Sequence, residues 1–278
     1  MARHQRVLVR FGYDGARFHG VPPQPGLPTV GAALRARLEV AADTRARGLA
    51  WASRTDRGVH ARANLATASF PSGTDLARVA LRVSVPRPDG LFRVSLRPVP
   101  ASVHARNVGR GKHYRYEIED NVSSARIVHL ARTLGRMRGP VDPHAPAPTV
   151  AEKHSWPVAP RLDPAVMRAA AVHLTGRKDF TSFAARLGHQ DPVREVTRIQ
   201  ILRTSAGVRL DIHGTGFLRY MVRNVVGLLA EIGAGLHPPN HAAQVLAARD
   251  RTAAGVMAPA RGLLLLRIET ERDWFGDG

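Results

Sequence analysis

The sequence predicts an α+β fold built on a largely antiparallel sheet, and three observations carry that prediction. Val7, Val9 and Phe11 alternate with Leu8 and Arg10 before the turn residues Tyr13-Asp14-Gly15, which is a strand ending in a tight loop. Asp163 followed by Pro164, with Val166, Met167, Ala170 and Leu174 on one face and Gly176 beyond, carries the start, stripe and stop of a helix. Strands and helices mix without a regular βαβ alternation or a repeat of fixed period, which disfavours Rossmann and solenoid architectures. A length of 278 residues leaves room for two packed halves, expected at 1–105 and 106–278.

Between these anchors, Thr29 is placed to cap a helix whose stripe is Val30, Ala33, Leu34 and Leu38. Trp51 to Ser53 reads as a strand end, Arg54 to Arg62 as a loop, and Asn64 to Phe70 as the next strand. Residues 135–160 are rich in proline and poor in aliphatics, the composition of an exposed connection. Val193 to Arg203 and Val208 to His213 flank the polar turn Thr204 to Gly207 as a hairpin, and Leu263 to Ile268 reads as a final buried strand. From Phe217 to Ile232 the apolar residues follow helical spacing, with Arg219, Arg223 and Gly227 on a second stripe.

Composition narrows the function classes. Apolar residues make up 44% and charged residues 23%, ordinary globular usage. There is no run of about 18 apolar residues, and Met1 to Arg6 lead into a strand instead of a signal-peptide core, so no membrane partner is expected. The chain has no cysteine, which removes thiolate metal sites and cysteine nucleophiles and fits a cytoplasmic location. Forty-one Lys and Arg face 22 Asp and Glu, a formal charge of +19 that attracts polyanions, so nucleic acid is the leading partner. A coding bias toward Arg and Ala accounts for Arg over Lys, but not for the acidic deficit.

The stretch Ser53-Arg54-Thr55-Asp56-Arg57-Gly58-Val59-His60-Ala61 sets a carboxylate between two arginines beside a glycine, an arrangement that holds the carboxylate ionised. By itself it also reads as plain turn chemistry with mutually solvating Arg–Asp pairs. The stretch resembles the Gly-Arg-Thr-Asp-Ala-Gly-Val-His-Ala signature of TruA-type tRNA pseudouridine synthases, agreeing at seven of nine positions. The resemblance continues in order through Tyr13-Asp14-Gly15, Phe18-His19-Gly20, Val103-His104-Ala105-Arg106 and Lys112-His113-Tyr114-Arg115-Tyr116. It runs on through Asp179-Phe180-Thr181-Ser182-Phe183, Met221-Val222-Arg223-Asn224-Val225-Val226-Gly227, Asp250-Arg251-Thr252 and Ala258-Pro259-Ala260-Arg261-Gly262-Leu263.

That resemblance implies the pseudouridine synthase fold, two similar halves around a basic cleft, a homodimer, and isomerisation of uridine to pseudouridine in the anticodon arm of tRNA. It implies Asp56 as the essential carboxylate, Arg223 as its partner, and Tyr114 as the residue that stacks on the uracil and assists proton removal at C5. Arg54 would approach the target nucleotide, His60 would serve packing or RNA contact, and Arg57, Arg106, Arg219 and Leu263 complete the substrate side. No cofactor is expected, since the reaction only rearranges bonds and the chain lacks a dinucleotide fingerprint or a His-Glu metal motif.

The chain departs from the family pattern at Ser53 and Arg57 in the loop, at Val21, at Gly31 and Asn64 where Gln is usual, at Arg82, and at Arg219-Tyr220. These departures bear on substrate contacts and spare Asp56, Tyr114 and Arg223. Two rivals share the scaffold or the charge: a paralogue acting on another RNA, and an RNA-binding protein without chemistry. An RNA methyltransferase is a third, disfavoured because no glycine-rich cofactor loop follows the first strand.

Overall fold

The computed structural model describes residues 4–126, 154–185 and 187–276. The chain forms two compact units, one of residues 1–114 with 264–278 and one of residues 115–263.

In the first unit, β1 (His4–Tyr13) lies antiparallel between β3 (His60–Pro71) and β4 (Leu91–Val99), and β2 (Arg47–Trp51) pairs antiparallel with β3. The last strand, β10 (Leu263–Thr270), runs parallel to β3, with Leu264 opposite His60 and Leu265 opposite Ala61. Helices α1 (Val30–Ala42) and α2 (Leu76–Ser84) bury Leu34, Leu38, Val79 and Val83. Thr29 caps α1 as the sequence predicts, its hydroxyl accepting from the Ala32 amide at 3.3 Å. The short α3 (Ala105–Val108) precedes β5 (Gly109–Glu119), which carries the chain from the first unit into the second.

In the second unit, β8 (Val193–Arg203) and β9 (Gly207–Gly214) form the expected hairpin, and β7 (Gly176–Asp179) extends it antiparallel on β8. β5 neighbours β9, and β6 (Trp156–Pro157) pairs parallel with β5. Helix α4 (Pro164–Ala171) starts where the sequence places it, with the Asp163 carboxylate accepting from Ala165 at 2.7 Å. It packs against α5 (Met221–Gly233), and α6 (His241–Ala248) lies against both helices. Strands that are mostly antiparallel, joined by parallel pairings at β3/β10 and β5/β6 and flanked by helices, make the α+β class expected.

Three expectations need correction or limitation. The helix expected from Phe217 begins at Met221, because Tyr220 sits in the left-handed region at φ 65° and breaks the helical path, so Arg219 is not on the Arg223 stripe. The loop after β2 closes at His60, since β3 pairs with β1 as far as Ala61. Of the proline-rich stretch, residues 135–153 lie outside the described residues, while Trp156 stacks edge-on against Tyr116 at a centroid distance of 6.4 Å. Segments α2, β4 and α6 were not anticipated from the sequence.

Candidate active site

The Asp56 loop joins β2 to β3 and is held from below by buried polar side chains. The hydroxyls of Tyr13 and Thr55 share a hydrogen bond of 2.7 Å, and Tyr13 sits at the end of β1. Asn64, fully buried on β3, accepts from the Ser53 amide at 3.3 Å, donates to the Ser53 carbonyl at 2.9 Å and donates to the Tyr13 hydroxyl at 3.3 Å. A buried amide side chain that meets both backbone groups of one residue leaves that residue little freedom.

The chain start clasps the same loop. The Gly15 amide donates to His60 Nδ1 at 3.1 Å, and Asp14 Oδ1 lies 3.1 Å from that nitrogen. A Cβ on Gly15 would stand 2.1 Å from the Val59 carbonyl oxygen, so only glycine allows this approach. The Val21 amide donates to the Thr55 carbonyl at 3.3 Å. Gly58, at φ +79°, supplies the turn in which the Val59 amide reaches back to the Asp56 carbonyl at 3.2 Å. The motifs around Asp14 and Gly20, separate in sequence from the loop, therefore brace it.

Above this frame Asp56 is half-buried, while Arg54 and Arg57 on either side of it are exposed. Tyr114, on β5, is 7% exposed and shares a hydrogen bond of 2.9 Å with the Ser53 hydroxyl. Burial pushes the Tyr114 phenol up to about 12, the Ser53 hydrogen bond opposes that rise, and the charge of Asp56 adds to it. The phenol therefore holds its proton at neutral pH, close enough to Asp56 to sense its charge. His60 is buried in the clasp, which favours packing among the two roles left open for it. Arg106 is exposed on α3.

In relation to known proteins, a family model described as tRNA pseudouridine synthase matches residues 170–270. The chain is 32% identical to tRNA pseudouridine synthase A of Myxococcus xanthus over 95% of its own length and 91% of that protein. Identity to tRNA pseudouridine synthase A is 35% for Pseudomonas aeruginosa, covering 95% and 85% of the two chains, and 35% for Cereibacter sphaeroides, covering 97% and 98%. The chain belongs to the tRNA pseudouridine synthase A family.

Within this pseudouridine synthase, Arg219, Arg223 and Leu263 belong to the second unit. Arg223, on α5, is 8% exposed; its Nε donates to the Ala258 carbonyl at 2.7 Å and its guanidinium lies 5.3 Å from the centre of the Tyr220 ring. Segment 256–258 comes this near because α5 carries Gly227, where a Cβ would meet the Val256 carbonyl at 1.8 Å. Arg219 is exposed and stacks on the neighbouring Tyr220 at 4.8 Å, and Leu263 is buried at the head of β10. Tyr116, hydrogen bonded to the Pro259 carbonyl at 2.7 Å, is pushed up by burial and drawn back by Arg223 and Arg261.

Two departures from the family sequence that were read as changes in substrate contact, Asn64 and Gly31, belong to the packing instead. Asn64 is sealed beneath the loop. Gly31 leaves no room for a side chain: a Cβ there would stand 2.6 Å from the Trp51 ring and 2.7 Å from the Val21 carbonyl. Arg82 is engaged by Asp43 across the α1/α2 surface. Sequence reasoning missed the supporting roles of Tyr13, Thr55 and Asn64; the one signal was Asn64, a polar residue set between Ala63 and Leu65 on β3.

Proposed function

We propose that this chain is a tRNA pseudouridine synthase that isomerises uridines of the anticodon arm, with Asp56 as its essential carboxylate. The near full-length identity to tRNA pseudouridine synthases A, which spans the braced Asp56 loop, carries this reading.

The reaction breaks the bond from ribose C1′ to N1 of the uracil, turns the detached base, and joins C1′ to C5; the proton on C5 leaves and N1 gains one. An ionised carboxylate beside C1′ serves as the attacking nucleophile or as the base that takes the C2′ proton, and in either role it stabilises positive charge on the sugar. Both roles need Asp56 deprotonated, and the flanking Arg54 and Arg57 favour that state. Arg223 pairs with Asp56 in this reading, which is supported by the family resemblance.

Tyr114 packs on the uracil face and its protonated phenol takes part in proton handling at C5. Exposed Arg54 meets the target nucleotide, whose base must leave the stack before C1′ is accessible, and Arg57, Arg106 and Arg219 meet the RNA. Leu263 lines the nucleotide pocket and His60 supports the loop. The excess positive charge attracts tRNA, and the enzyme works as a cytoplasmic homodimer; the charge, the lack of cysteine and the family resemblance support these assignments.

The test is to incubate wild-type and Asp56→Asn protein with unmodified tRNA transcripts and to map pseudouridine by a base-specific adduct that stops reverse transcription. Wild-type stops in the anticodon arm that vanish in Asp56→Asn, with tRNA binding retained, are expected. Binding without modification by the wild type would leave an RNA-binding protein, and activity in Asp56→Asn would overturn the mechanism.

A further inference from the structure

The loop signature of the family carries glycine where this chain has Ser53, and the added hydroxyl is not idle. Ser53 is 2% exposed, and its hydroxyl meets the phenol of Tyr114 at 2.9 Å inside a pocket from which water is largely excluded. The residue itself is pinned: Asn64, a second departure from the family pattern, holds its amide and its carbonyl. Asn64 also reaches the Tyr13 hydroxyl, which in turn bonds Thr55 next to Asp56. One connected set of buried hydrogen bonds thus links the backbone beside the carboxylate to the oxygen of the tyrosine.

We infer that Ser53, fixed by Asn64, is a positioning residue that orients the Tyr114 hydroxyl for the reaction, a role for which glycine at this site offers no group. A phenol rotates its O–H about the ring bond with little restraint, and a fixed partner removes that freedom. Because the hydroxyl is buried, the bond persists through the catalytic cycle instead of exchanging with water. The inference rests on the reading of Tyr114 as a group that acts on the uracil.

The experiment uses the full-length protein and single-turnover rates on a tRNA transcript for wild type, Ser53→Ala, Ser53→Gly, Ser53→Thr, Tyr114→Phe and the Ser53→Ala/Tyr114→Phe double variant. Ser53→Ala and Ser53→Gly are expected to slow the chemical step about five- to tenfold, the worth of one buried hydrogen bond, without weakening tRNA binding. Ser53→Thr, which keeps the hydroxyl, recovers most of the rate. Adding Ser53→Ala to Tyr114→Phe costs nothing further, whereas a role in loop shape alone would make the two losses multiply.

A second readout does not depend on turnover. With 3-fluorotyrosine in place of the four tyrosines, Tyr114→Phe assigns the Tyr114 fluorine line, and Ser53→Ala is expected to shift that line more than the other three. A Tyr114 line indifferent to Ser53→Ala, or an unchanged rate in Ser53→Ala beside a slowed Tyr114→Phe, overturns the inference alone. A Tyr114→Phe protein as fast as wild type, or an active Asp56→Asn, overturns the functional reading beneath it.

Discussion

Asn64 shows how much of the Asp56 loop rests on a side chain sealed from solvent. Its amide makes contacts to Ser53 and Tyr13 that no water can replace, because the side chain is wholly buried. Asn64→Ala strips partners from the Ser53 amide, the Ser53 carbonyl and the Tyr13 hydroxyl together, and unsatisfied buried groups cost roughly 1–3 kcal/mol each before relaxation. A loss of about 2–4 kcal/mol is expected from the urea unfolding midpoint; a loss under about 1 kcal/mol would mean that the loop is held by other means. Arg54 and Arg57, in contrast, were legible from sequence as exposed cations around a carboxylate, because polar residues in a glycine-bearing loop have few other places to go. The pairing of Asn64 with Tyr13 was not legible, since the two lie 51 positions apart and meet only through the register of β1 on β3.

Elements with local chemistry at their ends were read correctly from the sequence, and elements shaped by distant contacts were not. The Asp163-Pro164 start of α4 and the Thr29 cap of α1 are local, so propensity and capping found both. Helix α5 starts late because Tyr220 takes a positive φ, a conformation that a tyrosine adopts only when its surroundings impose it, and nothing near it in sequence announces this. α5 also depends on Gly227, which lets segment 256–258 lie on the helix and puts the Ala258 carbonyl in reach of Arg223. Gly227→Ala forces the Val256 carbonyl away, and overpacking of this kind costs about 1–3 kcal/mol. We expect a lower unfolding midpoint together with slower pseudouridine formation, because the acceptor that holds the Arg223 guanidinium moves with the segment. Normal turnover in a destabilised Gly227→Ala protein would separate Arg223 from the chemistry.

For the whole molecule, three buried tyrosines, Tyr13, Tyr114 and Tyr116, have their phenols pushed up by burial, Tyr114 to about 12. In the unfolded chain the same groups titrate near about 10. Above that pH the unfolded state gives up protons that the folded state keeps, so stability is complete below about pH 10 and is lost as pH climbs toward the folded values. Urea midpoints measured from pH 8 upward are expected to hold and then to fall beyond about pH 10. Tyr114→Phe is expected to shallow that fall, and an equal fall in both proteins would show that Tyr114 plays no part in it.

β10 returns to the first unit only after the second has been completed, and that order has a consequence for synthesis on the ribosome. Residues 115–263 emerge with their whole unit in hand, whereas residues 1–114 wait for 264–278. The strand that comes to lie beside His60, at the edge of the Asp56 loop, leaves the exit tunnel only after the whole second unit has done so. The half that carries Asp56 is thus begun before the other unit and completed after it, and β3 has no β10 beside it while residues 115–263 are still being made.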